Sequence, residues 1–181
     1  MRITGGTLRS RRLFSIDSTK LRPATDRLRE TMFNILGNMV ELEGATALDL
    51  YAGTGSVGFE TLSRGAKRVV FVESDRKIAA VIGRNAESLG VKERCDIRIM
   101  NVDRFVVTAV ETFDIAYVDP PYAFNGSTHE IIEEMLRRGI MNQPGIICVE
   151  HTKAYSPPPA LLIRQKIFGS TILSFIKPET K

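Results

Sequence analysis

An alternation of short apolar runs with helical patterns constrains the fold of this chain more than any other feature. Five apolar runs predict strands, at 45–50, 68–72, 96–100, 113–118 and 145–150. Four intervening segments have helical periodicity, at 57–63, 75–89, 104–110 and 128–138. This rhythm is typical of a parallel sheet with helices on both faces. The runs 161–167 and 171–176 flank Gly169-Ser170 and predict an antiparallel hairpin. We therefore expect an α/β fold with a doubly wound, mostly parallel, seven-stranded sheet.

The segment before the first strand predicts one more helix. Pro23 precedes it, and Thr25 or Asp26 is the expected cap. Its apolar residues follow helical spacing, at Leu28, Met32, Ile35, Leu36 and Met39. We expect one structural domain in two parts, with an arm and helix over 1–40 and the sheet over 41–181.

Positive charge is concentrated in the first 30 residues. They contain eight basic and three acidic residues, a net of +5, whereas 31–181 contain 17 basic and 18 acidic residues, a net of −1. Such an arm suits a polyanion, and nucleic acid is the leading candidate over a solvated tail or a membrane-surface segment. A phosphate at the start of the first helix would also relieve the conflict between its arginines and the helix dipole. The candidate contacts are Arg2, Arg11, Arg12, Arg22, Arg27 and Arg29.

Composition argues against the secreted, membrane and metal-dependent classes. No apolar run approaches the ~18 residues of a membrane span, and the first residues lack the apolar core of a signal peptide. Cys95, Cys148, His129 and His151 are isolated, so they give neither a disulfide framework nor a metal-ligand spacing. We expect a cytoplasmic monomer that uses no metal.

A glycine-rich loop follows the first predicted strand. Gly53, Gly55 and Gly58 satisfy the pattern G-x-G-x-x-G between a strand and a helix. Such a loop lets the backbone approach a cofactor that contains adenosine. Two cofactor classes remain open on this pattern alone, a dinucleotide or S-adenosylmethionine.

Acidic residues at the strand ends separate these two classes. Glu73 ends the second strand, where a carboxylate can accept hydrogen bonds from the ribose hydroxyls of either cofactor. Asp49 lies just before the glycine loop, where it would repel a pyrophosphate and attract the ammonium and sulfonium of S-adenosylmethionine. Asp103 follows the third strand and could accept a hydrogen bond from the adenine amine; a cap of the next helix is its alternative role.

Asp119-Pro120-Pro121-Tyr122 follows the fourth predicted strand. Neither proline has a backbone N–H, so the sheet ends here and a stiff turn presents a carboxylate, free carbonyls and a ring. The string resembles the catalytic tetrad of methyltransferases that modify exocyclic amines. Asp119 and the Pro120 carbonyl would then accept the amine hydrogens, and Tyr122 would stack on an extruded base. The alternative is an ordinary strand-to-loop turn.

Together these residues resemble the class I S-adenosylmethionine-dependent methyltransferases, and more closely the RsmD family, whose bacterial members methylate N2 of one guanine in 16S ribosomal RNA. The specific part is the N-terminal sequence, at 2–6, 11–13, 22–30 and 33–36. The resemblance continues through 49–58, 62–66, 71–73 and 119–122. Small departures from the family pattern occur at Ala24, Tyr51 and Thr54. The resemblance implies methyl transfer from S-adenosylmethionine, with S-adenosylhomocysteine as product, to 16S rRNA in an assembled or partly assembled small subunit.

Three rival functions stay open at this point. An adenine-N6 DNA methyltransferase would use the same tetrad, but such enzymes usually have additional sequence for recognising their site. An NAD-dependent oxidoreductase would use the glycine loop and Glu73. A non-catalytic RNA-binding protein could keep the fold without the reaction.

Overall fold

A computed structural model describes residues 1–15, 26–121 and 125–178 of the chain. Arg22 and Tyr122, two of the predicted site residues, lie outside the described residues, as do Pro23 and Thr25 before the first helix. Among the helices of the described ranges, none is long and apolar enough to cross a bilayer.

Helices and strands alternate along the described chain as the sequence predicts. The strands are β1 (Thr46–Leu50), β2 (Arg68–Glu73), β3 (Cys95–Ile99), β4 (Phe113–Val118), β5 (Met141–His151), β6 (Leu162–Phe168) and β7 (Thr171–Ile176). The helices are α1 (Asp26–Leu36), α2 (Ser56–Ser63), α3 (Arg76–Leu89), α4 (Val102–Thr108) and α5 (Asn125–Arg138). A short 3₁₀ turn, Lys92–Arg94, precedes β3.

The seven strands form one sheet in the order β3-β2-β1-β4-β5-β7-β6. The first five strands are parallel, and β7 runs antiparallel between β5 and β6. The predicted fold class is therefore confirmed, including the C-terminal antiparallel hairpin. Strand order reverses between β1 and β4, which creates the crevice where ligands bind in open α/β sheets.

The predicted bounds differ from the observed ones mainly at β5, α5 and α4, and α5 begins at Asn125, three residues before its predicted start. β5 begins at Met141, four residues before its predicted start, because Met141 pairs with Phe113 ahead of a register shift that places extra residues in β5 before Ile146. α4 begins at Val102, preceded by Asn101 at the cap position. Asp103 thus lies inside the first turn of α4, and its alternative role as a cap is wrong.

Alternating strand residues supply two apolar layers, one on each face of the sheet. Ala47, Phe71 and Ile115 pack on the face covered by α1, α2 and α3. Leu48, Val70 and Ala116 pack on the opposite face, against α4 and α5. Central parallel strands buried on both faces explain the continuous apolar runs in the sequence.

The N-terminal arm, here residues 1–15, packs against the first of these layers. Ile3 and Leu13 are buried in it, and the arm folds back on itself through a single antiparallel bridge between Arg2 and Arg12. Its main anchor is Glu60 of α2, a fully buried carboxylate. Glu60 accepts hydrogen bonds from the backbone N–H groups of Thr4, at 2.7 Å, and Gly5, at 2.8 Å.

The burial of Arg29 corrects the predicted set of RNA contacts. The apolar stripe of α1 is buried as expected, but the Arg29 side chain is also fully buried. It pairs with Asp26 at 2.9 Å and approaches Glu60 at 3.8 Å. A guanidinium enclosed by two carboxylates cannot reach a phosphate, so the prediction that Arg29 binds RNA is wrong. These carboxylates also remove the conflict with the helix dipole that suggested a phosphate there.

Candidate active site

Three of the predicted acidic residues meet at one edge of the sheet. Asp49 lies near the end of β1, Glu73 ends β2, and Asp119 directly follows β4. These strands are adjacent and parallel, in the order β2-β1-β4, so their carboxyl ends share the crevice of the sheet. The structure therefore brings together residues that are separated by 70 positions in sequence.

The glycine loop wraps directly over Asp49. The Asp49 Oδ2 atom accepts a hydrogen bond from the backbone N–H of Gly58 at 2.9 Å, which ties the start of α2 to β1. A Cβ atom at Gly58 would lie 2.2 Å from the ring of Phe71. Gly58 is thus required by the close approach of α2 to β2, and Gly55 occupies the cap position of the same helix.

Glu73 shapes the other side of this loop. Its Oε2 atom accepts a hydrogen bond from Gly53 N–H at 3.0 Å, and its Oε1 atom accepts one from Asp75 N–H at 2.9 Å. Each carboxylate oxygen can accept a second hydrogen bond, so Glu73 can still bind ribose hydroxyls. Its position beside Gly53 suits that role.

Burial gives Asp49 unusual titration behaviour. Desolvation raises its pKa to about 7, the Gly58 hydrogen bond partly offsets this, and the negative charge of Glu73 raises it further. A cation placed against Asp49 would remove much of this penalty. The residues at this edge therefore fit the ammonium and sulfonium of S-adenosylmethionine better than a pyrophosphate.

Asp119 lies among protein atoms at the strand ends, although water reaches its side chain. Its pKa is raised by desolvation first and then by the neighbouring charges of Glu150 and Asp49. Contact with water weakens the desolvation, but the two carboxylates act in the same direction. Asp119 thus holds a proton more readily than an ordinary aspartate does. Pro120, the next residue, is buried.

Asp103 lies at the same edge but is not enclosed. Its side chain is exposed in the first turn of α4, while Val102 and Phe105 are buried beside it. This exposure leaves the Asp103 carboxylate accessible to an adenine amine.

Glu150 and His151 end β5, but they occupy different environments. Consecutive strand residues point to opposite faces, so Glu150 lies on the face of Asp49 and Asp119. The Nδ1–H of His151 donates to the Thr152 carbonyl at 2.7 Å, and its Nε2 contacts the Ser174 hydroxyl at 2.7 Å. Desolvation lowers the pKa of His151, which favours a neutral ring that accepts from Ser174. His151 is therefore part of the structure of the hairpin.

Sequence reasoning missed Asn85, which supports the glycine loop. Asn85 is a fully buried residue of α3. Its Nδ2 donates to the Thr54 carbonyl of the loop at 3.0 Å and to the Phe14 carbonyl at 3.2 Å, while Oδ1 accepts from Phe14 N–H at 2.7 Å. One amide thus joins the arm to the loop. A polar residue on the apolar face of α3 was the available signal.

The other predicted RNA contacts within the described residues lie on the surface. Arg2, Arg11, Arg12 and Arg27 are exposed. Arg2 pairs with Asp26 at 3.1 Å, and Arg11 donates to the Ser88 carbonyl at 2.7 Å. Both interactions are at the surface, and an exposed ion pair such as Arg2–Asp26 contributes little and is easily exchanged.

Comparison with known proteins assigns the chain to a family. The model of the family described as "Conserved hypothetical protein 95" matches residues 1–177. The chain belongs to the RsmD family. Two relatives named "Ribosomal RNA small subunit methyltransferase D" are each 33% identical to it. The Haemophilus influenzae protein aligns over 93% of this chain and 89% of its own length, and the Escherichia coli K12 protein over 100% and 91%.

A solved structure agrees with this assignment over the whole chain. The Escherichia coli structure named "Putative methyltransferase yhhF" superposes with a TM-score of 0.88 and 31% identity, covering 100% of this chain and 99% of that one. This RsmD-family protein is a methyltransferase, which confirms the enzyme class expected from the sequence.

Proposed function

We propose that this RsmD-family protein transfers a methyl group from S-adenosylmethionine to the exocyclic N2 amine of a guanine in 16S rRNA of the small ribosomal subunit. The observation that carries the proposal is the position of Asp119, at the end of β4 and across the crevice from Asp49. The names of the relatives support a small-subunit rRNA substrate. We further propose that the protein acts as a cytoplasmic monomer.

The methyl donor would be held by residues of three strand ends. Bound S-adenosylmethionine supplies a methyl group already activated by its sulfonium. Asp49 would neutralise the positive charge of the donor, Glu73 would bind the ribose hydroxyls, and Asp103 would accept from the adenine amine. Gly53, Gly55 and Gly58 would admit the donor close to the backbone.

The guanine amine would be oriented by Asp119 and the Pro120 carbonyl. Its lone pair is delocalised into the ring, so attack requires the nitrogen to become pyramidal and to gain positive charge. Two acceptors aimed at its hydrogens stabilise that change. Asp119 can accept from both hydrogens only in its ionised form, and a cation bound beside Asp49 would favour that form of Asp119. Tyr122 would stack on the extruded base.

The RNA backbone would bind the N-terminal arm. Arg2, Arg11 and Arg12 carry exposed charge on the arm and Arg27 at the start of α1, and Arg22 extends this set in sequence. Held there by phosphate contacts, the RNA would present its target base to Asp119.

Labelled methyl transfer tests the proposal. Small subunits lacking the modification, naked 16S rRNA and unmethylated duplex DNA would be compared as acceptors, and the methylated nucleotide would be mapped. We expect label at a guanine N2 of ribosomal RNA and none in DNA. Label on DNA adenine would instead support an adenine-N6 DNA methyltransferase.

Asp119→Asn provides the second arm of the test. We expect kcat to fall by about 10²–10³-fold, as when one stabilising contact to a transition state is removed, with unchanged affinity for S-adenosylhomocysteine in calorimetry. Glu93→Gln is the control, because it makes the same change of acid to amide at an exposed position before the amino end of β3. It should leave kcat unchanged. Full activity of Asp119→Asn would refute the assigned role.

A further inference from the structure

A second basic segment follows the acidic middle of the chain. Residues 31–150 contain 12 basic and 17 acidic residues, whereas 151–181 contain five basic and one acidic. The nearly neutral total over 31–181 hides this division. The expectation that positive charge belongs to the arm alone is therefore incomplete.

Part of this charge lies on the edge strand of the sheet. Arg164 and Lys166 of β6 are exposed, and Lys153 is exposed in the turn after β5. Among the described residues, none of the three forms an ion pair. In contrast, Arg68 and Arg98 at the other end of the sheet are paired with Asp96. The β6 cations are thus available to an outside anion.

Strand register places Lys166 level with the active site. Lys166 pairs with Leu173 of β7, and Leu173 pairs with Glu150 of β5. Val149 of β5 pairs with Val118 of β4, so the residues that follow them, Glu150 and Asp119, lie next to each other across the sheet. Residues paired across strands share a face, so Lys166 lies on the face of Asp119, three strand spacings or about 14 Å away.

The arm and β6 lie on opposite sides of Asp119. The arm is anchored on α2 and α3, which pack over β1, β2 and β3. β6 lies at the other end of the strand order, beyond β5 and β7. A nucleotide turned out toward Asp119 leaves one backbone segment on each side of it, and both segments carry phosphates.

We propose that Arg164 and Lys166, with Lys153 near the turn Gly169-Ser170 that follows β6, form a second phosphate-binding surface for the RNA substrate, across the crevice from the arm. We call this set the β6 surface. It rests on the proposed function, because its ligand is the backbone of the same RNA whose base reaches Asp119. The arm and the β6 surface together hold the RNA on both sides of the extruded nucleotide.

Edge strands often carry basic residues for another reason, to prevent pairing with a strand of another molecule. That role requires charge on β6 but no RNA contact. The two explanations predict different results when the charges are removed.

The test compares two double variants with equal loss of charge. R164Q/K166Q removes two cations from the β6 surface. K67Q/R138Q removes two exposed cations remote from the reactive face, at the amino end of β2 and the last turn of α5. Binding to an unmethylated 16S rRNA transcript would be measured between 50 and 200 mM salt, with methyl transfer to undermethylated small subunits in parallel.

For R164Q/K166Q we expect RNA affinity to fall about tenfold and the salt slope to decrease by roughly 0.7–0.9 for each phosphate that the protein no longer neutralises. Affinity for S-adenosylhomocysteine should not change. K67Q/R138Q should alter RNA affinity less than twofold. An equal loss of RNA affinity in both variants would show that net charge alone causes the loss, and would overturn the proposal.

Two other outcomes would also overturn it. Unchanged RNA affinity of R164Q/K166Q, with self-association in sedimentation, would assign β6 to protection of the sheet edge. A wild-type protein that neither binds nor methylates the RNA would refute the proposed function itself. That result is distinguishable from a failure of the β6 proposal alone, because it is seen with the wild-type protein.

Discussion

Asp49 combines a cost in stability with a proposed role in binding the methyl donor. The residue is almost fully buried beside Glu73, and its pKa is raised to about 7. An apolar residue there would pack without the desolvation penalty of a charge. The carboxylate becomes favourable only when a cation binds against it. In the function that we propose, the Asp49 carboxylate is unfavourable in the free protein and becomes favourable when the methyl donor binds.

Asp49→Asn should therefore remove the part of the pH dependence of stability that Asp49 causes. The native carboxyl holds its proton up to about pH 7 and the unfolded one only to about 3.8, so the native state binds more protons between these values. The free energy of unfolding of the wild type should fall as pH rises from 4 to 7 and then level off. The variant should lack this contribution and gain up to roughly 4 kcal/mol relative to wild type at pH 8.

Urea unfolding of both proteins at pH 5, 6, 7 and 8 measures this difference. Asp119 also lowers the free energy of unfolding as pH rises, in wild type and variant alike, because its pKa is raised too. The difference between the curves therefore reports mainly on Asp49. The variant should also bind S-adenosylhomocysteine at least tenfold more weakly at pH 8. Parallel stability curves would contradict the account of Asp49.

Asn85→Ala should weaken cofactor binding without touching the cofactor. The change removes the hydrogen bond to Thr54 in the glycine loop and leaves Phe14 N–H without its acceptor. A loss of about 1–2 kcal/mol in loop order corresponds to roughly 5–30-fold weaker binding of S-adenosylhomocysteine. Isothermal calorimetry would measure it.

Asn142→Ala is the matched control for Asn85→Ala. Asn142 donates to Asp114 at 2.8 Å, at the amino end of the sheet. Its loss should lower the melting temperature but leave cofactor affinity unchanged. If both variants weaken binding equally, Asn85 has only a general structural role.

At the scale of elements, the arm is fastened to α2 by a dense set of backbone contacts. Glu60 holds Thr4 and Gly5, and the Ser63 carbonyl accepts from Thr7 N–H at 2.7 Å. Gly6 lies between these anchors with φ +75°, and a Cβ atom there would be 1.9 Å from the Ser63 carbonyl oxygen. The arm can thus pack this closely on α2 only because Gly6 has no side chain.

Comparing Gly6→Ala with Gly44→Ala should separate the cost of a left-handed backbone from the cost of a steric clash with α2. Gly44 has nearly the same φ, +74°, but no atom within 4 Å of its Cβ position. Gly44→Ala should cost only about 1 kcal/mol for the left-handed conformation. Gly6→Ala should add the steric conflict, displace the arm and weaken RNA binding, as measured by denaturant unfolding and RNA titration. Equal effects of the two changes would show that the arm tolerates a larger separation from α2.

At the scale of the whole molecule, the sheet is completed by its last strand. All six residues of β7 are buried, and the strand separates β5 from β6. Leu173 and Phe175 contribute to one apolar layer and Ile176 to the other. β7 therefore supports both faces of the sheet and the strand that carries Glu150.

A chain ending after Phe168 should consequently fail to fold. It would expose β5 along its length, leave β6 without a partner and open both apolar layers. We expect loss of cooperative thermal unfolding and of S-adenosylhomocysteine binding, measured by calorimetry. A chain ending at residue 178 retains β7 and should behave as wild type. Cooperative unfolding of the shorter chain would contradict this.

Much of this architecture could be predicted from sequence because its signals are local. Periodicity locates the strands, and parallel strands bring Asp49, Glu73 and Asp119 to one edge by topology alone. The burial of Arg29 could not be predicted, since it depends on Glu60, 31 positions away. Asn85 and Lys166 were missed for the same reason: their roles follow from register and packing between distant segments.

The position of β7 has a consequence for when the enzyme comes into being. A ribosome releases β1 to β5 first, but β6 then has no neighbour until residues up to Ile176 have emerged. β7 must insert between β5 and β6, which are both synthesised before it. The sheet is therefore completed only after residues up to Ile176 have emerged, and a nascent chain that stops before β7 lacks a finished sheet around the crevice.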